Sequence, residues 1–307
     1  MVPSTLEDNY KSAGGDVHSR SKASISIQYE YDLKSGGIPY LELTSGDRND
    51  RRDAGETVDH MEKGDLIIRD LGYFSTPVLQ HCMGKEAFFL SRLDSSTNVY
   101  DESGRLISFH DVYQSMKKSQ ITEMEMFVYI GKQTRLPVRL LLQFVPEEVY
   151  KKRIREKTQK SKGQGRGQLT EETRVRSRFN LFITNAQEFQ LPSKQVVLLY
   201  RLRWQIELQF KIWKSVFKIN SLHEMKEERY ITLLYIKLLM IIINLQITYS
   251  IQYPFTQCKR DKIKLISLNK ALKTLYITEI NCIFAGSENK KARRFFVQKR
   301  PRTSKKT

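Results

Sequence analysis

Alternation of apolar and polar positions first appears at residues 24–31, where Ile25, Ile27 and Tyr29 share one face. A second β-like run at residues 38–43 follows across a Gly-containing connection. A period of two on both sides of such a loop predicts an antiparallel hairpin. Short apolar runs come next at residues 65–69 and 87–93, with a helical stretch at 75–81 between them. Strand, helix and strand in that order indicate a mixed α/β sheet. Further strands are expected at residues 123–130, 136–144 and 179–184. A helix is expected from Glu147, dissolving into the basic, Gly-rich residues 160–167. Residues 1–20 show no period and read as loop. From Ser193 to about Thr248 the pattern is helical.

The clearest helix is the one from Ser193 to about Phe217. Ser193 can cap it, and neither Gly nor Pro interrupts it. At 100° per residue, Tyr200, Arg203, Glu207, Lys211 and Lys214 share an arc of about 80°. Ile206, Phe210, Trp213 and Phe217 form an adjoining apolar stripe, and Leu198, Leu202 and Val216 lie on the far side. The helix should therefore be largely buried, with one charged strip. A carboxylate flanked by cations suits a metal-dependent phosphodiester site, because the carboxylate binds a divalent ion and the cations hold phosphates. The competing reading is a solvated face with pairs such as Glu207–Lys211, worth only about 0.3–0.5 kcal/mol. Trp204 could stack on a base or be a core or rim aromatic. Asp70, after a strand and before Gly72, is either a turn residue or a ligand.

Composition sharpens this picture. There are 52 Lys+Arg against 34 Asp+Glu, a net charge of +18, with a pI near 9.7. Such a balance favours a polyanionic partner, most often nucleic acid. An apolar fraction of 40% excludes a disordered chain. Residues 151–178 hold eleven Lys/Arg and three acids, and residues 289–307 hold nine Lys/Arg and no acid. The first segment could track a phosphate backbone or be a solvated loop; the second reads as a disordered tail that assists non-specific binding. Cys82, Cys258 and Cys282 are widely spaced and without a C-x-x-C, so they read as reduced thiols in a cytoplasm. No signal peptide is expected, and the apolar run at residues 231–243, broken by Lys237, reads as a buried helix too short and polar to span a membrane.

The spacing Tyr200-x-x-Arg203-x-x-x-Glu207-x-x-x-x-x-x-Lys214 resembles the Tyr-Arg-Glu-Lys signature of DDE insertion-sequence transposases. The run LYRLRWQIELQFKIWKS at residues 199–215 looks like that family almost throughout, as does the preceding LFITN at residues 181–185. The block DLIIRDLGYFSTPVLQHCMGKEAFFLSR at residues 65–92 resembles the segment around the family's second catalytic Asp. The whole chain resembles transposases of Bacillus-type insertion elements. The resemblance implies an α/β, ribonuclease-H-like fold: a mixed sheet with flanking helices and a β-rich insertion before the catalytic-Glu helix. It implies a core whose first part is residues 1–98, an insertion with a basic loop at 99–178, the core's last strand and catalytic helix at 179–250, and a helical region with a basic tail at 251–307. It makes Asp70 and Glu207 catalytic and metal-ligating, holding two magnesium ions or manganese in their place. Tyr200, Arg203 and Lys214 would contact DNA, with Lys211 and Trp204 assisting. The partner would be double-stranded DNA at the element's terminal repeats, engaged by a homodimer in the bacterial cytoplasm, on the nucleoid and not in a membrane.

The family's first Asp precedes the hairpin, on a strand that would lie upstream of Met1. Asp8, Asp16 and Asp32 do not end apolar runs and are poor substitutes. The expectation is therefore an N-terminally truncated transposase acting in metal-dependent cleavage and strand transfer. Its alternative is an inactive DNA-binding remnant that occupies element ends or pairs with full-length enzyme. An unrelated basic nucleic-acid binder has no use for a carboxylate centred in a cationic strip.

Overall fold

The computed structural model of the chain describes residues 6–12, 23–33, 35–48, 55, 58–165, 167–223 and 225–257, the last seven as backbone alone. Asp16, Cys258, Cys282 and the basic tail lie outside the described residues. The chain forms two units, one of Met1–Asp47 with Ile206–Thr307 and one of Arg48–Gln205.

The alternating segments pair as the pattern demands. Strands β1 (Ile25–Glu30) and β2 (Tyr40–Ser45) run antiparallel with Ile25 opposite Ser45 and Glu30 opposite Tyr40. In the loop between them Gly36 has φ +71°, and a Cβ there would come within 2.4 Å of the Tyr249 ring. That position therefore needs glycine for its backbone angle and for the close approach.

The Arg48–Gln205 unit is built on a six-stranded sheet. Strand β3 (Leu66–Ile68) leads through a 3-10 turn (Leu71–Tyr73) into α1 (Thr76–Gly84), and β4 (Phe88–Arg92) returns parallel to β3. Then come β5 (Val99–Tyr100), α2 (Phe109–Lys118), β6 (Glu123–Ile130), β7 (Leu136–Phe144), α3 (Glu147–Gly163), α4 (Glu171–Arg176), β8 (Phe179–Thr184) and α5 (Ser193–Leu202). The strand order is β3-β4-β8-β7-β6-β5, with every pair but the first antiparallel. The mixed sheet with flanking helices is the expected fold class. Strands β5, β6 and β7, from the segment anticipated as an insertion, hydrogen-bond into the same sheet as β3 and β4.

Because side chains alternate across a strand, each strand serves both faces of this sheet. One face sends Phe89, Leu181, Ile183, Leu140, Leu142, Val128 and Ile130 into a large apolar core that Leu79 and Cys82 of α1 and Phe109 and Met116 of α2 complete. The other face is apolar only in part: Leu90, Leu141 and Phe182 pack beneath Val196 and Tyr200 of α5.

The helix expected from Ser193 to Phe217 is two helices. Helix α5 ends at Leu202, and α6 (Trp204–Ser215) begins after Arg203, whose N–H turns back to the Tyr200 carbonyl at 3.2 Å. The cause is a change of core. Helix α5 follows the sheet through Val196 and Tyr200. Helix α6 instead buries Ile212 and Trp213 with Leu6, Leu43 and the long helix of the same unit, α7 (Glu227–Gln257). The expectation of a largely buried helix fails for both: Leu198 of α5 is 59% exposed, and α6 buries only Gln209, Ile212 and Trp213.

Helix α7 corrects the length argument made from residues 231–243. It continues past that run, and Glu227–Ser250 is by length and composition alone apolar enough to cross a membrane. One face of it, Tyr230, Leu234, Leu238, Ile241 and Leu245, forms its own unit's core, and the buried Asn244 and Thr248 satisfy their donors on carbonyls one turn back.

Candidate functional site

Asp70 follows directly from the geometry of β3. The strand ends at Ile68 and the chain tightens into the 3-10 turn, for which Asp70 is the N-terminal flank with extended backbone angles. A turn residue would spend its side chain on the cap. Asp70 does not: its carbonyl takes the Tyr73 N–H at 3.1 Å, while the carboxylate makes no cap bond and is 54% exposed. An Asp70 oxygen stands 3.6 Å from Nη1 of Arg203. Two blocks more than a hundred residues apart in the chain thus meet where β3 and α5 end.

Tyr200, grouped by the wheel with the charged strip, is buried next to this pair. Its ring is buried edge-on against Phe182 at 5.2 Å between centroids, and the Arg203 guanidinium sits 5.9 Å from its own centroid. Burial pushes the phenol's pKa up and Asp70 adds to the rise, while Arg203 and Arg92 oppose it. Tyr200 is therefore a neutral prop at neutral pH, supporting Arg203 from below.

The remaining motif residues lie on α6. Trp204, at its first position, is 54% exposed, so the core reading of this aromatic is excluded. Glu207, Lys211 and Lys214 are all exposed and occupy one side of the helix, as the wheel requires. The adjoining stripe is fixed by aromatics: Trp213 is fully buried, its ring 4.7 Å from that of Tyr29 on β1 and 5.0 Å from that of Phe210. Such edge-on pairs add to area burial and leave α6 little freedom to rotate, which keeps Glu207 and the two lysines outward in their unit.

Two positioning groups escaped sequence reasoning. Arg139, 6% exposed in the middle of β7, donates to the carbonyls of Ala186 and Leu191 at 2.6 and 3.1 Å and pairs with Glu125 and Glu188. It pins the β8–α5 connection and the start of α5 to the sheet. The signal was available: a lone Arg in the otherwise apolar run LPVRLLLQF needs compensation when buried. The Arg139 hydrogen bond, with help from Ser193, holds the Glu125 carboxyl below its ordinary value against the effect of burial. Asn185 acts as a substitute ladder partner, accepting from Phe89 N–H at 2.9 Å and donating to the Ala87 carbonyl at 2.8 Å. This closes the β4–β8 seam next to the start of β4.

Exposed carboxylates free of capping duty are suitable donors for a hard divalent cation. Asp70 fits that description in its unit, although it supplies only part of a coordination sphere. Among the described residues no three His, Cys, Asp or Glu side chains converge as a metal cluster.

Residues 2–244 match the model of the family described as "Transposase DDE domain". The chain is 32% identical over 279 residues to the transposase for insertion sequence element IS231F of Bacillus thuringiensis subsp. israelensis, covering 86% of this chain and 57% of that protein. It is 31% identical over 247 residues to the IS231B transposase of Bacillus thuringiensis subsp. berliner, covering 75% and 50%. It is 28% identical over 265 residues to the transposase for insertion sequence element IS1151 of Clostridium perfringens, covering 81% and 55%. The chain thus spans about half the length of the curated relatives it matches.

Proposed function

This chain belongs to the transposase DDE-domain family, and from that premise we propose that it works in DNA transposition, cleaving and joining phosphodiester bonds at the ends of an insertion element. The observation that carries this reading is the meeting of Asp70 with Arg203 at 3.6 Å, since it unites the two sequence blocks in which the family resemblance is strongest. Asp70 and Glu207 are the proposed ligands of divalent ions, magnesium or manganese. Such an ion, when bound, polarises a phosphoryl oxygen and lowers the pKa of a coordinated water.

The chain's own side chains do the rest. Arg203 presents a planar fork to a phosphate, propped by the buried Tyr200 ring. Lys211 and Lys214 present point charges to the backbone, and Trp204 presents an exposed ring for stacking on a base. A reaction that joins two element ends calls for two copies on DNA, in the bacterial cytoplasm and on the nucleoid.

The motif carboxylates favour a second reading. The resemblance assigns the family's catalytic role to two of this chain's carboxylates, Asp70 and Glu207, whereas the family's reaction takes three. On this reading the chain occupies element ends or pairs with a cutting transposase without itself cutting.

The test is a strand-cleavage assay of the full chain with magnesium on duplexes carrying the element's ends. Nicking at the ends, reduced about a thousandfold or more by Glu207→Gln or Asp70→Asn, supports the enzyme. End binding without nicking supports the second reading. A chain that neither binds nor cuts such DNA defeats both.

A further inference from the structure

The α5 face of the sheet carries cations beyond Arg203 that none of the roles above uses. Arg92 ends β4 directly opposite Phe182 in register, so the two side chains share a face. Asn180, two residues earlier on β8, shares it too. From α3, Arg153 reaches this row: it donates to Oδ1 of Asn180 at 2.7 Å and to the Phe179 carbonyl at 2.9 Å. One turn further along α3, Lys157 donates to Oγ of Ser177 at 3.0 Å. Arg92, Arg153 and Lys157 are each half-buried.

These partners are all neutral. Among the described residues, no ion pair involves Arg92, Arg153 or Lys157; the nearby Glu156 pairs with Lys152. Burial, and then the proximity of Arg92, lowers the pKa of Arg153. Burial also lowers that of Lys157, with Arg153, Arg92 and Arg176 adding to the fall. Like charges partly withdrawn from water are unfavourable in the free protein, Glu156 offsets this only in part at Arg153, and a polyanion laid over them relieves the penalty. The row is also continuous with the site: Arg92 pairs with Phe182, Phe182 packs on Tyr200, and Tyr200 lies under Arg203.

We propose that Arg92, Arg153 and Lys157 form a track for the phosphate backbone of duplex DNA, running across the sheet face away from the Asp70–Arg203 pair. The proposal rests on the transposase reading and gives the DNA a path within the Arg48–Gln205 unit. It is sequence-independent, because the track offers charge and no donor pattern for base edges. It also separates the members of the basic segment at 151–178: Arg153 and Lys157 belong to the track, whereas Arg176 is already paired with Glu172 and stacked over Phe109.

The test measures binding of the full chain to a short mixed-sequence duplex as a function of salt. The wild type is compared with Arg92→Gln, Lys157→Gln, the double variant and Lys118→Gln, a control on α2. Circular dichroism and Tm verify folding, and Arg153 is left intact because its carbonyl bonds support the fold. Each track substitution is expected to flatten the slope of log Kobs against log salt by about one unit, the double by about two, with Lys118→Gln matching the wild type. Unchanged slopes in folded variants of a chain that binds DNA overturn the track and leave the transposase reading standing. A wild-type chain with no affinity for the duplex overturns both.

Discussion

The two faces of the six-stranded sheet are made by the same strands, yet they have opposite characters. Under α1 and α2 the inward positions of β4, β6, β7 and β8 are nearly all apolar and fully buried. Under α5 the alternate positions of those strands include Arg92, Arg139, Asn180 and Glu125 beside a small apolar patch. Period-two alternation fixes which residues belong to which face, but not what the face is for. Stability is concentrated on the first face, while the second accepts buried charge and keeps Asp70 and Arg203 at its rim.

Substitutions at matched depth break this comparison most sharply. Phe89→Ala, on the all-apolar face, should cost about 3–5 kcal/mol through lost burial and a residual cavity, read as a fall in the urea midpoint at unchanged slope. A cost under about 1 kcal/mol would mean that this face is not the stabilising one. Arg139→Met, on the other face, removes the donor to the Ala186 and Leu191 carbonyls and the partner of the solvent-accessible Glu125 and Glu188. It should cost about 1–3 kcal/mol, and the β8–α5 connection should lose amide-exchange protection before the sheet does. Equal loss of protection throughout would refute the pinning role.

A smaller effect is pH-dependent. The Glu125 carboxyl titrates below its ordinary 4.5 in the folded chain because Arg139 holds its charged form. The unfolded chain therefore binds the proton first as pH falls. The contribution is complete above about 4.5 and disappears as pH drops through the lower, folded value. Glu125→Gln should flatten the stability profile over that acidic window and leave the profile above it parallel to wild type. An unaltered acid limb in denaturant titrations would remove Arg139–Glu125 from the account.

The hairpin and β6 were legible from their alternation, and β7 as a short apolar run, LPVRLLLQF, bounded by turn residues. The break at Arg203 was not. Nothing in the local sequence stops a helix there; the division arises because Val196–Tyr200 and Ile212–Trp213 pack into different cores, which is tertiary information. The same break separates the buried Tyr200 from the exposed Glu207, Lys211 and Lys214, with which a single wheel groups it. Glu207 was singled out by motif spacing and Asp70 by block resemblance, whereas Arg92, Arg153 and Asn185 acquire meaning only from tertiary contacts, which a single sequence leaves open.

The proposal that Asp70 and Glu207 each take part in binding divalent ions is tested most directly by Mn2+ binding to the full chain, followed by electron paramagnetic resonance. The account predicts that Asp70→Asn and Glu207→Gln each reduce the bound fraction severalfold while Asp94→Asn does not. Equal Mn2+ binding by wild type and both substituted chains, all folded, would contradict it.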